Sequence, residues 1–241
     1  MRLHRFIGDF DLTSPEVVIT EDGLVHQIRR VLRMEEDDEL LLADGNGRQA
    51  RCRITAITPQ AITASVEEVS VLATEPSVRV TLYCSLLRRE NFEWVVQKAT
   101  ECGVARIVPI ITERTVKFGG KRERFALIAR EAAEQSGRGV IPDVADAISF
   151  REALGEATRS GRAIFFDADG LPAHHALAGM SSGGMVALFI GPEGGWSAGE
   201  GEAARAAGLS VASLGALTLR AETAAIVATY LTAHAAGVYT G

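Results

Sequence analysis

The residues Phe189-Ile-Gly-Pro-Glu-Gly-Gly-Trp-Ser197 place a glycine-rich loop between a compact apolar run and a helix start. The run ending at Ile190 has the length of a buried strand, and Ser197 with Glu200 forms the capping-box pattern that opens a helix. Glycines lack a Cβ, so the loop backbone can approach a ligand closely. Ligands bind at the carboxyl ends of strands in open α/β sheets. The stretch therefore predicts a binding loop, although an ordinary strand-to-helix turn has the same pattern.

Strands alternate with helices on both sides of this loop, from residue 78 onward. Strands are expected at 78–85, 105–111, 163–167, 185–190 and 209–214. Helices are expected at 91–102, 122–136, 198–207 and 222–236, several of them followed by a glycine. This alternation predicts an α/β domain with a mostly parallel sheet over residues 77–241.

Residues 1–72 have a different pattern, typical of a small β-barrel. Asp44-Gly-Asn-Gly47 is a strong hairpin sequence between two strand-like runs. One helix is expected at 24–33, where apolar residues fall at helical spacing, and residues 74–77 form a linker.

Composition excludes several classes of protein. The chain has 241 residues, of which 47% are hydrophobic and 23% charged, so neither disorder nor a fibrous repeat is expected. The apolar stretch from Ala224 to Tyr239 is too short to span a bilayer, and the N-terminus lacks the apolar region of a signal peptide. Three cysteines without a CxxC pair exclude a disulfide framework and indicate a cytoplasmic location. The adjacent His174 and His175 cannot share a face, so no metal site is expected.

Charge is unevenly distributed. The formal net charge is −6, and residues 1–72 hold 8 arginines against 13 acidic residues, which argues against a nucleic-acid partner. Residues 106–138, however, hold 8 basic and 4 acidic residues. A local basic stripe of this kind can bind a phosphate backbone.

Three further segments place polar residues at the ends of predicted elements. The segment 214–224, Leu-Gly-Ala-Leu-Thr-Leu-Arg-Ala-Glu-Thr-Ala, puts Glu222 and Thr223 in the first turn of the last helix. Helix capping together with a surface ion pair between Arg220 and Glu222 would explain this pattern equally well. The segments 97–114 and 131–138 are likewise compatible with ordinary solvated helix ends.

Taken together, these segments resemble the 16S rRNA (uracil-1498-N3)-methyltransferase family of the SPOUT superfamily, and the resemblance covers nearly the whole chain. The motifs that carry it are His26 with Val31-Leu32-Arg33, and the segments 98–103, 134–138, 191–195 and 214–224. One position departs from the family pattern, since Leu217 stands where the family usually has an arginine. No role is assigned to Leu217.

The resemblance implies a SPOUT-type trefoil-knotted C-terminal domain, preceded by a PUA-like barrel, that binds S-adenosylmethionine. The cofactor-binding residues it implies are Ile190, Gly191, Pro192, Glu193, Gly194, Gly195, Leu214, Gly215, Leu219 and Thr223. The methyl acceptor would be N3 of a uracil, which must lose its proton before it can attack. The catalytic candidates are Arg220 and Arg138 for stabilising the uracil anion and Glu222, or Glu193, for accepting the proton.

The implied partners are 16S rRNA, or the small ribosomal subunit, and a second copy of the chain. The RNA-binding candidates are Arg5, Arg29, Arg30, Arg33, Arg114, Lys117, Lys121 and Arg122. A solvated helix face would also account for 29–33. The apolar face of 224–236 is a candidate dimer surface, although it would serve equally as core.

Two other functions were considered from the residues alone, and only the first of them remains open. A non-enzymatic RNA-binding protein with a PUA-like module would need the barrel and the basic stripe but not the loop 191–195. A nucleotide-dependent α/β enzyme would need a phosphate loop near the first strand of the α/β domain, and the sequence has neither Gly-x-Gly-x-x-Gly nor the Walker pattern there.

Overall fold

The computed structural model describes residues 3–72, 74–115, 121–159 and 161–235. The chain divides into two compact units. The first comprises Met1–Glu75 and Ala133–Ile141, and the second comprises Pro76–Ala132 and Pro142–Gly241. Each has its own apolar core.

The first unit is built on a five-stranded sheet. Its strands are β1 (His4–Ile7), β2 (Glu16–Ile19), β3 (Glu39–Ala43), β4 (Arg48–Ile57) and β5 (Ile62–Val71), in the order β1-β3-β4-β5-β2. The β1–β3 pair is parallel and the others are antiparallel. Asp44 accepts the backbone N–H groups of Asn46 and Arg48, at 2.8 and 3.0 Å, and so fixes the predicted hairpin between β3 and β4.

The helix predicted at 24–33 is shorter and changes type. Helix α1 (Asp22–His26) continues as a π-helical turn, Gln27–Val31. Leu24, Val25 and Ile28 are buried in the core of the unit, while Val31 is exposed. The wide turn keeps Ile28 in the core but turns Val31 towards solvent, a change of helix type that the spacing of apolar residues does not reveal.

Residues 133–141 belong to the first unit, which corrects the predicted division at 72–77. Glu134 Oε1 accepts the backbone N–H of Ile7 at 3.0 Å, and Ala133 packs against Ile7 and Ala43. Arg138, only 5% exposed, pairs with Glu75 at 2.7 Å. The two residues of each pair are more than 60 positions apart in the sequence, so no local pattern predicts these contacts.

The second unit contains a parallel sheet, as predicted. Its strands are β6 (Arg79–Ser85), β7 (Arg106–Ile111), β8 (Asp143–Val144), β9 (Ile148–Ser149), β10 (Arg162–Pro172), β11 (Met185–Ile190) and β12 (Ser210–Ser213). The order is β12-β10-β11-β6-β7-β8, with β9 also paired to β7. All of these pairings are parallel, so the strands end at one common edge.

Helices connect the strands of this sheet. They are α2 (Arg89–Glu101), α3 (Arg122–Ser136), α4 (Phe150–Ala157), α5 (Ala173–Leu177), α6 (Ala198–Ala206) and α7 (Ala221–Ala235). Helix α7 packs against α2, β6 and β11 through small buried residues such as Ala225 and Ala228. The predicted end of this helix, Ala236, lies outside the described residues. Within the described ranges, no helix combines the length and apolar character needed to cross a membrane.

Strand β10 extends past its predicted end at Asp167. Its pairing with β12 shifts register between Phe166 and Leu171, which lets the chain continue beside the same neighbour. At Gly170 the two backbones approach so closely that a Cβ would lie 2.4–2.6 Å from backbone atoms of Ala212. Only a glycine fits this contact.

We expect Gly170→Ala to destabilise the protein by about 1–3 kcal/mol, because the added methyl must push apart two backbones that have no flexible side chain between them. Urea unfolding provides the measurement. Gly155→Ala is the matched control. Gly155 lies on an exposed face of α4, and nothing is within 4 Å of a Cβ added there. Gly155→Ala should therefore raise the free energy of unfolding by roughly 0.5–1 kcal/mol. Equal stabilities of the two variants would contradict the close approach.

Candidate functional site

A cavity of about 890 Å³ lies where β11 and β12 end. This volume is in the upper part of the range of roughly 300–1,000 Å³ typical of small-molecule sites. It is lined by most of the predicted cofactor-binding residues, namely Ile190, Gly191, Pro192, Glu193, Gly194, Gly195, Leu214, Gly215 and Leu219. Arg114, Arg220 and Glu222 line it as well. The fold therefore brings two loops that are distant in sequence to one site.

Trp196 and the glycines of the loop determine the shape of loop 191–195. A Cβ on Gly191 would lie only 3.0–3.2 Å from atoms of the Trp196 indole, so a larger residue would displace the ring. The indole Nε1–H donates to Phe166 O at 2.9 Å, which fixes the ring against β10. Gly195 has φ +69° and closes a turn by donating its N–H to Pro192 O.

Two contacts anchor this loop to neighbouring elements. The backbone N–H of Arg88, which immediately precedes α2, donates to Glu193 Oε1 at 3.4 Å. A carboxylate is favoured at this end of a helix. Arg114 Nη1 donates to Gly194 O at 2.9 Å. The loop is thus held in place by protein contacts alone, before any ligand binds.

A cluster of hydroxyl groups positions Arg114. Ser85 Oγ, at the end of β6, lies 3.2 Å from Thr112 Oγ1 and 3.0 Å from Thr115 Oγ1. Thr115 Oγ1 also accepts the backbone N–H of Thr112 at 2.8 Å. Since Ser85 and Thr112 are buried, these hydrogen bonds fix the turn that presents the guanidinium to Gly194. In the sequence, only the Thr-x-x-Thr spacing of Thr112 and Thr115 points to this cluster.

The second loop, 213–220, exposes its backbone and two long side chains. Ser213 Oγ donates to Gly215 O at 3.1 Å, and Gly215 has φ +126°. Leu217 and Arg220 are 82% and 86% exposed, respectively. Both line the cavity, so their side chains are available to a ligand at its mouth.

Glu222 differs from every other acid of the cavity in its burial. It lies in the first turn of α7 and is only 4% exposed. Its Oε1 is 4.0 Å from Arg220 Nη1, and its buried Oε2 has no hydrogen-bond partner among the described residues. A buried polar atom without a partner costs free energy unless a ligand or water satisfies it. A water molecule or a ligand would have to donate a hydrogen bond to satisfy this oxygen.

Several cavity residues escaped the sequence analysis. They are Arg88, Asn91, Phe166, Asp167, Ala168 and Trp196. Asp167 is the one with a visible signal in the sequence, since this acid directly follows the buried residues 163–166 of β10. Arg88 and Asn91 reach the cavity because α2 begins there, which depends on the sheet order and not on local sequence.

Other predicted site residues have different surroundings. Thr223 is half-buried in α7 and does not line the cavity. Arg138 lies in the first unit, in its ion pair with Glu75. Arg122 donates to Val144 O at 2.8 Å and lies about 4 Å from Asp143 and Asp146 carboxylates.

The remaining predicted RNA contacts are spread over both units. In the first unit, Arg5 donates to Gln49 Oε1 at 2.8 Å, Arg29 lies 3.5 Å from Pro59 O, and Arg30 and Arg33 are exposed. In the second, Lys121 is exposed. Lys117 lies outside the described residues.

The cysteines are unsuited to nucleophilic chemistry. Burial raises the pKa of the Cys84 thiol, next to the cavity, far above its usual range, and the charges of Glu193 and Glu222 raise it further. Burial likewise raises the pKa of Cys52 and Cys102 to about 11. All three thiols therefore stay protonated at neutral pH. In the described part of the chain, no group of three or more His, Cys, Asp or Glu residues is arranged to hold a metal ion.

Two protein-family models match the chain. The model of an RNA methyltransferase domain matches residues 74–233, and that of an RNA methyltransferase PUA domain matches residues 21–67.

Relatives along the whole chain agree with these matches. The chain is 30% identical over 234 residues to ribosomal RNA small subunit methyltransferase E of Bacillus subtilis, covering 89% of this chain and 88% of the relative. It is 32% identical over 209 residues to the protein of the same name from Synechocystis, and the match covers 85% of this chain and 68% of that relative. The crystal structure of ribosomal RNA small subunit methyltransferase E from Neisseria gonorrhoeae bound to S-adenosyl methionine superposes with a TM-score of 0.87 at 28% identity, covering 95% of each chain.

We expect Arg114→Ala to loosen the loop 191–195, because the carbonyl of Gly194 loses its side-chain donor while the turn at 112–115 remains. Hydrogen–deuterium exchange should become faster in this loop and remain unchanged in the core strands. Arg151→Ala, at an exposed position of α4, is the control and should leave the loop unchanged. Wild-type exchange in the loop of the Arg114 variant would show that Arg114 does not anchor it.

Proposed function

The chain belongs to the ribosomal RNA small subunit methyltransferase E family, and we propose that it transfers a methyl group from S-adenosylmethionine to N3 of a uracil in 16S rRNA. The observation that best supports a proton acceptor for this reaction is the buried carboxylate of Glu222, a residue that lines the cavity and whose Oε2 has no partner among the described residues. Methylation of a uracil at N3 requires a group that accepts its proton. A carboxylate oxygen without a protein partner is suited to that task.

The cavity fits S-adenosylmethionine in size and chemistry. When bound, this cofactor supplies a methyl group on a positively charged sulfur. The loops 191–195 and 213–219 would hold it through backbone N–H and C=O groups, with Ile190, Leu214 and Leu219 providing apolar contact. Glycine is required where the backbone approaches most closely, as the tight contact of Gly191 with Trp196 illustrates.

Glu222 is preferred to Glu193 as the proton acceptor. Glu193 is exposed and its Oε1 already accepts the N–H of Arg88, whereas Glu222 Oε2 is buried without a partner in the described structure. The N3 proton passes to Glu222, and the electron pair left on N3 forms the bond to the methyl carbon as the carbon–sulfur bond breaks. The sulfur keeps the electron pair of that bond, so charge and atoms balance.

We propose that Arg220 stabilises the uracil anion. Its guanidinium is exposed at the mouth of the cavity and lies 4.0 Å from Glu222. As N3 loses its proton, negative charge develops on the flanking carbonyl oxygens, and a cation stabilises it. Arg138 is assigned a structural role instead, because it is buried in the ion pair with Glu75 in the first unit.

RNA binding by the first unit is proposed to rest on the arginines that follow α1. Arg30 and Arg33 are exposed. By contrast, Arg53 lies 2.6 Å from Glu39 and 2.7 Å from Glu67, so its charge is locally neutralised. The π-helical turn and the positive φ of Arg33, +54°, shape the surface that carries these arginines. Strained backbone of this kind is frequent at functional sites.

The remaining proposals concern topology, assembly and location. We propose a trefoil knot on the strength of the family resemblance alone; helix α7 follows the edge strand β12 and packs beside β6 and β11, where such a crossing would lie. We propose a homodimer that uses the exposed Tyr230 and Leu231 of α7, since the opposite face of this helix is core.

Three free cysteines support a cytoplasmic location.

Thermal unfolding and nucleoside analysis test the proposed reaction together. S-adenosylmethionine should raise the melting temperature in a concentration-dependent way, while ATP and NAD should not. Incubation with small-subunit RNA or particles and a labelled methyl donor should then yield 3-methyluridine. Absence of both effects would favour a non-enzymatic RNA-binding protein.

Arg220→Ala should lower kcat by roughly 10²–10³-fold, the usual loss when one donor to a developing anion is removed. The Kd of S-adenosylmethionine, measured by calorimetry, should change little. Arg151→Ala serves again as the control. An equal loss of turnover and cofactor affinity would instead place Arg220 in the cofactor pocket.

Leu231→Glu should shift the oligomer towards monomer, because a charge would replace an apolar contact at the proposed interface. Sedimentation equilibrium of wild-type and variant protein measures this. A monomeric wild-type protein at micromolar concentration would exclude the dimer.

A further inference from the structure

We infer that Asp167 lets the cavity distinguish S-adenosylmethionine from its demethylated product, S-adenosylhomocysteine. The inference rests on the proposed function, since it assigns one residue to the charge of the proposed cofactor. It concerns neither the RNA nor the proton acceptor. The two molecules differ by one methyl group and by the positive charge that the sulfur carries only while it holds that methyl.

Asp167 lies on the wall of the cavity, between the two loops that form it. Its strand, β10, is placed between β12 and β11 in the sheet. Phe166, the preceding residue, pairs with Ala212 of β12, and the register shifts directly afterwards. Asp167 therefore reaches the level at which both neighbouring strands end, where the loops 191–195 and 213–220 flank it on either side.

The carboxylate of Asp167 has no counter-charge among the described residues. Asp167 is half-buried, and no described residue donates a hydrogen bond to its side chain or forms an ion pair with it. The other two acids among the described lining residues are engaged. Glu193 accepts the N–H of Arg88, and Glu222 lies 4.0 Å from Arg220. A carboxylate that loses part of its hydration without gaining a partner favours a cationic ligand.

S-adenosylmethionine carries such a cation in the middle of the molecule. Its sulfonium joins the adenosine to the methionine tail, so a molecule held by the loops on either side places this charge between them, in front of β10. Methyl transfer removes the charge, because the sulfur keeps the electron pair of the broken bond. Asp167 therefore attracts the cofactor and not the product.

The backbone loops cannot supply this discrimination. The cofactor and the product share the adenosine and the amino-acid tail, and with them nearly every group that the loops 191–195 and 213–219 would contact. Contacts that are common to both molecules hold both equally well. Because the product must leave before the next cofactor binds, a residue that recognises only the charged sulfur favours the exchange.

Asp167→Asn tests the assignment, because the amide keeps the size and shape of the side chain and removes its charge. We expect the Kd of S-adenosylmethionine, measured by calorimetry, to rise about tenfold, as for the loss of one charge pair in a partly solvated site. The Kd of S-adenosylhomocysteine should change little. Sinefungin, in which a carbon bearing an ammonium group replaces the sulfonium, should behave like S-adenosylmethionine.

Asp169→Asn is the matched control. Asp169 is two residues further along β10, is exposed and does not line the cavity. The same change of net charge at this position should leave all three dissociation constants as in wild type. Asp167→Glu keeps the charge and should restore most of the preference that Asp167→Asn loses. Asp167→Ser also removes the charge and takes the place of the asparagine variant if that variant does not fold.

The possible results separate the inference from the proposed function. If wild type binds neither S-adenosylmethionine nor S-adenosylhomocysteine, the proposed function itself fails. If wild type binds both and Asp167→Asn weakens both equally, the carboxylate contacts a part that the two molecules share, and the inference is wrong. An unchanged Kd of S-adenosylmethionine in the variant would also overturn it. So would an equal selective loss in Asp169→Asn, because a long-range effect of charge would then explain the result.

Discussion

The site depends on a backbone loop that the protein holds in place from both sides. Loop 191–195 is fixed at Glu193 by the N–H of Arg88 and at Gly194 by the guanidinium of Arg114. Both anchors come from other segments of the same unit. The loop therefore loses its conformational entropy when the protein folds and not when a ligand binds. A cleft lined by backbone groups can thus be rigid even though it contains three glycines.

A second feature of the site is the buried carboxylate of Glu222 at the start of α7. Glu222 has an orphaned oxygen, which costs stability in the free protein. Its position in the first helical turn offsets part of that cost, because the free N–H groups there favour negative charge. Proteins commonly retain such a defect where it serves a reaction, and the proposed proton acceptance would use this carboxylate.

The sequence predicts those features that rest on local chemistry. The capping box at Ser197 and Glu200, the hairpin at 44–47 and the strand–helix alternation are all visible in neighbouring residues and all occur in the structure. Features that depend on distant partners were missed. The ion pair of Arg138 with Glu75 was not predicted, because the two residues are 63 positions apart. Asn91 reaches the cavity only because of the sheet order, and β10 continues past Asp167 only because Gly170 lies against β12.

A crystal structure of the protein with S-adenosylhomocysteine and uridine monophosphate tests the central claim most directly. The account predicts the cofactor product between loops 191–195 and 213–219, with uracil N3 within hydrogen-bond distance of Glu222 Oε2. Ligand density outside this cleft, or Glu222 Oε2 bonded to a protein donor while the base lies elsewhere, would contradict it.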